Sequence, residues 1–390
     1  MVSAVLQTSF LGDMILTTPL LERLAERGRV VVVATPANAA LLVNHRAVSD
    51  VIVFDKRGVD RGIGGVRRVA NRLSALNADV AYLAQGSVRT AALAWLARIP
   101  TRVGFVTSPG RVLCTVQVPF RRELHHAARL WQLASRADDA TVPLTLRPTL
   151  YPSEADFARV DALLADHGVD QPVDQGVRVV ESDPADRGVR DQGVRVVEKH
   201  DQGVSVVAKH AVRLDTPLIA LAPGSVWATK RWPSYAALAA DIARDPLLRS
   251  HRLVVLGAAG DAPLATAIAD ELRAVNAPPP IDLTGKLSLL GSAALLARAK
   301  ALVTNDSAPL HLASAMNTPT VALFGPTVPG FGFGPLADQH SIVEREALAC
   351  RPCHAHGPQQ CPLQHWHCMR EITSDVVSSR LREIIARTDR

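Results

Sequence analysis

The stretch that decides the fold is residues 301–327, ALVTNDSAPLHLASAMNTPTVALFGPT. It opens on a short apolar run that a sheet can bury on both faces. Asn305, Asp306 and Ser307 follow, all turn and helix-capping types. Pro309 falls in the first helical turn, where a missing N–H does no harm. The spacing predicts a helix over 308–316, stopped at Asn317 and Pro319. A second buried strand follows over 319–324, closed by Gly325 and Pro326. Strand, turn, helix, strand in this order is the repeating unit of a parallel sheet. It puts Asp306, Ser307 and His311 at the carboxyl end of a strand and the amino end of a helix. Open α/β sheets bind ligands at that edge, and the helix terminus favours anions. On spacing alone a plainer alternative stays open, in which Asp306 or Ser307 merely caps the helix and His311 is an ordinary first-turn residue.

The same grammar extends outward in both directions. Short apolar runs over 2–7, 29–34, 51–54, 79–83, 102–105, 218–222 and 252–256 alternate with helical stretches such as 14–27, 36–44, 66–76 and 287–299. Such alternation predicts parallel sheets covered by helices on both faces. A chain of 390 residues exceeds one comfortable core, so two domains are expected. No run reaches the length of a membrane-spanning helix, and MVSAVLQTSFLGD lacks the basic start of a secretory signal. The expectation is a cytoplasmic protein. Its net charge of +6 suits an anionic surface or substrate. With 4% aromatic residues and no nucleic-acid motif, no nucleic-acid partner is expected.

Other strand ends carry further candidates. After the first strand comes Gly12-Asp13, where Gly12 permits close backbone approach and Asp13 reads either as a cap or as a cleft carboxylate. After the run at 79–83 come Gln85, Gly86, Ser87 and Arg89. The Gly- and Arg-rich stretch 57–68 reads as a loop that either touches an anion or is simply solvated. His125 and His126 open a helix in RRELHHAARLWQLA, and such a pair reads as structural or exposed. After 218–222 come Ser225, Thr229 and Lys230, and Lys230 is either a surface lysine or a cation at the same sheet edge as Asp306. After 252–256 comes GAAGD, a weak nucleotide signal that ends in Asp261.

Four segments, SFLGDMILTTPLL, DVAYLAQGSVRTAALAWLARIPTRVGF, APGSVWATKRWP and NDSAPLHLASAMNTPTVALFGPT, together resemble the ADP-heptose:lipopolysaccharide heptosyltransferases, the family 9 glycosyltransferases, and most resemble the type II enzymes. The resemblance covers nearly the whole chain outside residues 171–212. It implies an α/β GT-B fold, two Rossmann-like parallel-sheet domains facing across a cleft. It implies inverting transfer of heptose from ADP-L-glycero-D-manno-heptose to a heptosyl-Kdo2-lipid A acceptor at the cytoplasmic face of the inner membrane. In that picture Asp13 is the catalytic base. Lys230 neutralises the leaving diphosphate, with Ser225 and Thr229 donating hydrogen bonds. Asp306 holds the heptose hydroxyls; Ser307, Ala308, His311 and Gly325 complete the donor site, and Asp261 sits near the ribose. Gly12, Ser87 and Arg89 face the acceptor. Catalysis needs no cofactor. A heptosyltransferase acting on a protein or another glycan, or a non-catalytic sugar-nucleotide-binding protein, is the alternative.

Two features stand outside this picture. The segments 174–180 and 191–197 are both DQGVRVV, and 201–207 is DQGVSVV. Their spacing is irregular and they offer little to bury, so residues 171–212 read as a disordered or loosely ordered linker between domains at 1–170 and 213–370, with a small β-hairpin as the alternative because GVRVV has strand character. Four of the five cysteines, Cys350, Cys353, Cys361 and Cys368, lie together near the end. In a reducing compartment they suggest a structural zinc or iron ion or packed free thiols. The last segment, 371–390, contains an amphipathic helix, which the resemblance places back against the first domain.

Overall fold

The computed structural model describes residues 1–135, 143, 146–169 and 216–388. The repeats at 171–212 lie outside these. Six strands form the first sheet: β1 (Val2–Gln7), β2 (Arg29–Ala34), β3 (Asp50–Val53), β4 (Val80–Tyr82), β5 (Thr101–Phe105) and β6 (Val116–Val118). Six more form the second: β7 (Leu218–Ala222), β8 (Arg252–Val255), β9 (Ile281–Asp282), β10 (Ala301–Asn305), β11 (Thr320–Phe324) and β12 (His340–Glu344). The orders are β3-β2-β1-β4-β5-β6 and β12-β11-β10-β7-β8-β9. All neighbours run parallel. Each half therefore grows outward from a central strand, returns, and grows the other way. The crevice at such a reversal is where open α/β sheets bind ligands. Here the reversals fall between β1 and β4 and between β7 and β10. Their loops carry Asp13, Ser87, Lys230 and Asp306.

Helices fill the crossovers. The first domain has α1 (Leu11–Ala25), α2 (Pro36–Ala40), α3 (Gly62–Ser74), α4 (Val88–Leu96) and α5 (His126–Gln132). The second has α7 (Tyr235–Arg244), α8 (Ala262–Ala274), α9 (Leu289–Arg298), α10 (Ala308–Met316), α11 (His367–Arg370) and α12 (Ser374–Thr388). Between them α6 (Glu154–Ala165) starts at a Ser153 capping box closed by Asp156. Helix α3 begins earlier than the periodicity predicts. Gly62, Gly64 and Gly65 are thus helical rather than part of a loop.

The domains share one apolar cluster. Met14, Ile15 and Leu16 of α1 join Leu312, Ala313 and Met316 of α10 in it, and Phe157, Val160 and Leu164 of α6 join Leu290 and Ala294 of α9. Arg298, nearly buried, pairs with Asp161 at this seam. The placement of the last helix needs correcting. Val377, Leu381, Ile384 and Ile385 of α12 pack with Leu238, Ile242 and Val321 of the second domain, and Arg382 pairs with Asp245. Its apolar stripe finds an open face on its own sheet. The element that joins the domains is α6.

Candidate active site

The β1 loop is fixed before it reaches the cleft. Asn38 donates to Ser9 O at 3.1 Å, and Gln7 donates to the Thr17 hydroxyl at 3.1 Å. Helix α1 starts at Leu11 after Phe10, which makes no side-chain cap. Asp13 is therefore inside the first turn, and the capping reading of it falls away. Its carboxylate is 17% exposed. Gly12 is required here by contact, because a Cβ on it would sit 2.6 Å from His311 Cδ2.

The opposite wall is tied together by Asn305, the fully buried last residue of β10. Its Nδ2 donates to Pro223 O at 2.8 Å and its Oδ1 accepts from Trp232 N–H at 3.2 Å. This stitches the β7 loop to β10 and brings Lys230 onto Asp306. Lys230 Nζ donates to Asp306 Oδ2 at 2.6 Å, and Thr327 Oγ1 donates to the same oxygen at 2.7 Å. Both side chains of the ion pair are 9% exposed. Asp306 is thus a partner of Lys230, not a cap. Ser307 precedes α10 without capping it, so the first N–H groups of that helix meet the cleft without a side-chain acceptor.

One pocket of about 220 Å³ joins these walls. Asp13 and Gly12 line it from the first domain, and Ser225, Lys230, Asp306, Ser307, Ala308 and His311 from the second. His311 is buried, which lowers its pKa to about 4; Asp306 and Asp13 oppose that shift and Lys230 and His126 add to it. Burial rather than the helix terminus keeps it neutral.

Several expected residues lie elsewhere. Thr229 is turned away, with both its N–H and its hydroxyl on Pro358 O. Gly325 is packed against Met369, where a Cβ would come within 2.7 Å of Cγ. Asp261 accepts from Ala258 N–H at 2.9 Å and closes its own turn beside Gly224. Ser87 caps α4 by accepting from Thr90 N–H. Arg89 is exposed on the β4 edge and acts with Arg57 on Lys56, whose pKa is lowered first by burial and then by these two cations.

Other residues reach the site with no local signal. Phe10, Trp227, Phe331, Phe333 and His356 all line the pocket. His126 stands beside Asp13, Nε2 to Oδ1 at 3.7 Å, contrary to the structural or exposed reading. His356 brings the cysteine segment into the cleft wall, with its ring near-parallel to Trp227 at 13°. The four thiols there sense one another. Cys368 is pushed up to about 11 by burial and then by Cys353, with smaller contributions from Cys350 and Cys361. Among the described residues, however, no three His, Cys, Asp or Glu side chains are grouped to hold a metal ion.

Two Rossmann-ordered sheets that meet at one pocket, with a helix start lacking a side-chain cap and a buried lysine beside it, define a GT-B protein. The model of glycosyltransferase family 9 (heptosyltransferase) matches residues 66–367, and the chain belongs to that family. Lipooligosaccharide heptosyltransferase 2 of Haemophilus influenzae is 30% identical over 181 residues, 44% of this chain and 49% of the relative. The chain thus spans about half the length of this curated relative. Lipopolysaccharide heptosyltransferase 1 of Pseudomonas aeruginosa is 26% identical over 338 residues, 83% of this chain and 79% of the relative. The solved structure of Escherichia coli ADP-heptose LPS heptosyltransferase II superimposes with a TM-score of 0.72 at 23% identity, covering 100% of both chains. At that identity the likeness speaks for the fold. No helix among the described residues is long and apolar enough to cross a membrane.

Proposed function

We propose that this chain is an inverting heptosyltransferase that moves heptose from ADP-L-glycero-D-manno-heptose to the heptosyl-Kdo2-lipid A inner core of lipopolysaccharide. The observation that carries the reading is the single pocket with Asp13 on one wall and the Lys230–Asp306–Thr327 network at the uncapped start of α10 on the other. Asp13 takes the proton of the acceptor hydroxyl as that oxygen attacks the anomeric carbon. The bond from that carbon to the phosphate oxygen breaks, and its electron pair leaves with ADP. Negative charge grows on the leaving oxygen, where Lys230 and the first N–H groups of α10 stabilise it. Ser225 lines the same wall and is the hydroxyl assigned to the diphosphate. Asp306 uses Oδ2 for Lys230 and Thr327 and offers Oδ1 to a heptose hydroxyl. His311, neutral, packs behind the base.

Lys56, Arg57 and Arg89 give the first-domain edge a cationic face suited to an anionic acceptor at the inner leaflet. The displacement as written uses no cofactor. A zinc or iron ion on Cys350, Cys353, Cys361 and Cys368 belongs to the proposal only as a structural element. Elemental analysis giving about one metal per chain would support it, and a ratio near zero in active protein would remove it. The test of the function is ADP release from ADP-heptose with a lipid A–core acceptor truncated after its first heptose. Wild type should turn over, and Asp13→Ala should lose about 10²–10⁴-fold. If wild type ignores this acceptor but uses a protein or another glycan, the lipopolysaccharide assignment is wrong. Tight ADP binding without any turnover would indicate a binding protein.

A further inference from the structure

His126 is the first residue of α5, and the displacement above does not use it. One edge of its ring faces the base, with Nε2 3.7 Å from Asp13 Oδ1. The other ring nitrogen, Nδ1, is buried with no hydrogen-bond partner among the described residues. The residue is gripped from the opposite domain. Its backbone N–H donates to Gly332 O at 2.8 Å, and its ring stacks on Phe333 at a centroid distance of 4.7 Å and an angle of 29°. Phe333 also meets His311 edge-on at 6.3 Å.

The electrostatics keep this ring neutral. Burial lowers its pKa, Asp13 pulls it back up, and Arg129 lowers it further. Two other histidines face the same region, His125 from the cap of α5 and His311 from α10, and burial brings both to about 4. A neutral imidazole has one proton to place. On Nδ1 it would be a buried donor with no acceptor. On Nε2 it points toward a carboxylate and leaves only a lone pair unsatisfied. The second arrangement costs less, and it fixes the tautomer by the surroundings.

We infer that His126 is a positioning residue whose Nε2–H donates to Asp13 when the cleft closes, holding the carboxylate ionised and turned toward the acceptor hydroxyl. At 3.7 Å that bond is not yet made, and catalytic hydrogen bonds commonly shorten only when ligands are bound. The grip of Gly332 and Phe333 supplies the means. Second-domain movement toward the first carries the loop that holds the ring. The inference rests on Asp13 being the base.

The test reads the Asp13 carboxyl directly, by ¹³C NMR titration of the ADP-bound protein in wild type, His126→Phe and His126→Gln. The Asp13 signal is assigned by its loss in Asp13→Asn. Phe keeps the stack on Phe333 but donates nothing, whereas the Gln amide places a donor where Nε2 stands. Asp13 should titrate about one pH unit higher in His126→Phe and return toward wild type in His126→Gln. In ADP-release assays the acid limb of kcat/KM should move up in step, and kcat should fall about 10-fold in the Phe variant with KM for ADP-heptose unchanged. An Asp13 titration identical in all three proteins, or Gln as impaired as Phe, overturns the inference. A common fall in Tm with an unmoved Asp13 titration does so too, because it marks plain packing. If Asp13→Asn retains full ADP release, the base assignment has failed instead, and the NMR shift still shows whether His126 acts on Asp13.

Discussion

The loops that leave β1 and β7 hold equivalent places in two sheets of the same strand order, yet their functional side chains are held very differently. Lys230 is locked to Asp306 at 2.6 Å, Thr327 closes on the same carboxylate oxygen at 2.7 Å, and Asn305 sutures the loop to β10. Among the described residues the Asp13 carboxylate makes no comparable bond; His126 Nε2 stands 3.7 Å from it. The contrast follows from the two tasks. A site that stabilises charge on a leaving group gains most when its dipoles are fixed beforehand. A base must stay free to accept a proton, so tight pairing with a cation would defeat it.

Breaking the locked side should have the largest consequence. Lys230→Met removes the cation meant for the diphosphate and leaves the Asp306 carboxylate buried without its partner. Leaving one partner of a buried pair uncompensated costs about 3–5 kcal/mol, so urea unfolding should show a loss of that order together with loss of ADP release. Lys230→Met combined with Asp306→Leu should regain much of the stability and none of the activity. A single variant as stable as wild type would mean that the pair is not buried in solution. On the looser side, Asp13→Asn should change stability by no more than about 0.5 kcal/mol while turnover drops about 10²–10⁴-fold. A large stability loss there would erase the distinction between the two loops.

How much of this could be read from the chain follows the same division. Residues 301–327 announced themselves because β10, α10 and β11 are each local. Apolar runs, Pro309 near the helix start and Asn317 at its left-handed end (φ 57°) all lie within one segment. Lys230 and Asp306 were legible as sheet-edge residues for that reason. Their pairing was not, because it depends on Asn305 tying β10 to the distant β7 loop. Asp13 lines the pocket from inside the first turn of its helix rather than from its start, since Phe10 gives no capping signal. Phe333 and His356 line the pocket and His126 stands beside Asp13 through contacts between distant segments, and no spacing in the chain encodes that. Ser87, Thr229, Asp261 and Gly325 illustrate the reverse. Each lies in a recognisable strand-end motif, and each is used there to cap, brace or pack the backbone.

A smaller effect is expected where the β1 loop meets α10 through Gly12. Its missing Cβ makes room for His311, which comes within 2.6 Å of where that carbon would stand. Gly12→Ala should cost about 1–3 kcal/mol by overpacking, read as a lower Tm. Activity should fall with it, because the displaced imidazole lies between Asp13 and the second domain. Gly12→Ala with His311→Ala should recover Tm while activity stays low. If Gly12→Ala is silent in both assays, Gly12 and α10 do not pack as closely as their spacing indicates.

The finest division between the halves is their response to acid. Burial lowers the pKa of His45 in the first domain, and of His125 and His311 at the cleft, to about 4 from an ordinary 6.5. A histidine whose folded pKa lies below its unfolded value binds protons more readily when unfolded. Its contribution is therefore fully present above pH 6.5 and is lost as the pH falls toward 4. Each such group adds a slope of about 1.4 kcal/mol per pH unit in that window. Urea unfolding between pH 7 and pH 5 should show a steep decline, and His45→Phe should shallow it by about one histidine's share. That residue sits away from the pocket, edge-on to Tyr151 at 5.1 Å, so ADP release at pH 7 should not change. The two cleft histidines behave differently because they stand where the domains meet, His125 accepting Ala127 N–H on Nδ1 and facing Gly334 O with Nε2 at 3.1 Å. Protonating them charges the seam itself, so the pH dependence of ADP affinity should be the same in wild type and His45→Phe. Equal shallowing of the ADP dependence by His45→Phe would show that the acid response belongs to the whole molecule and not to the cleft.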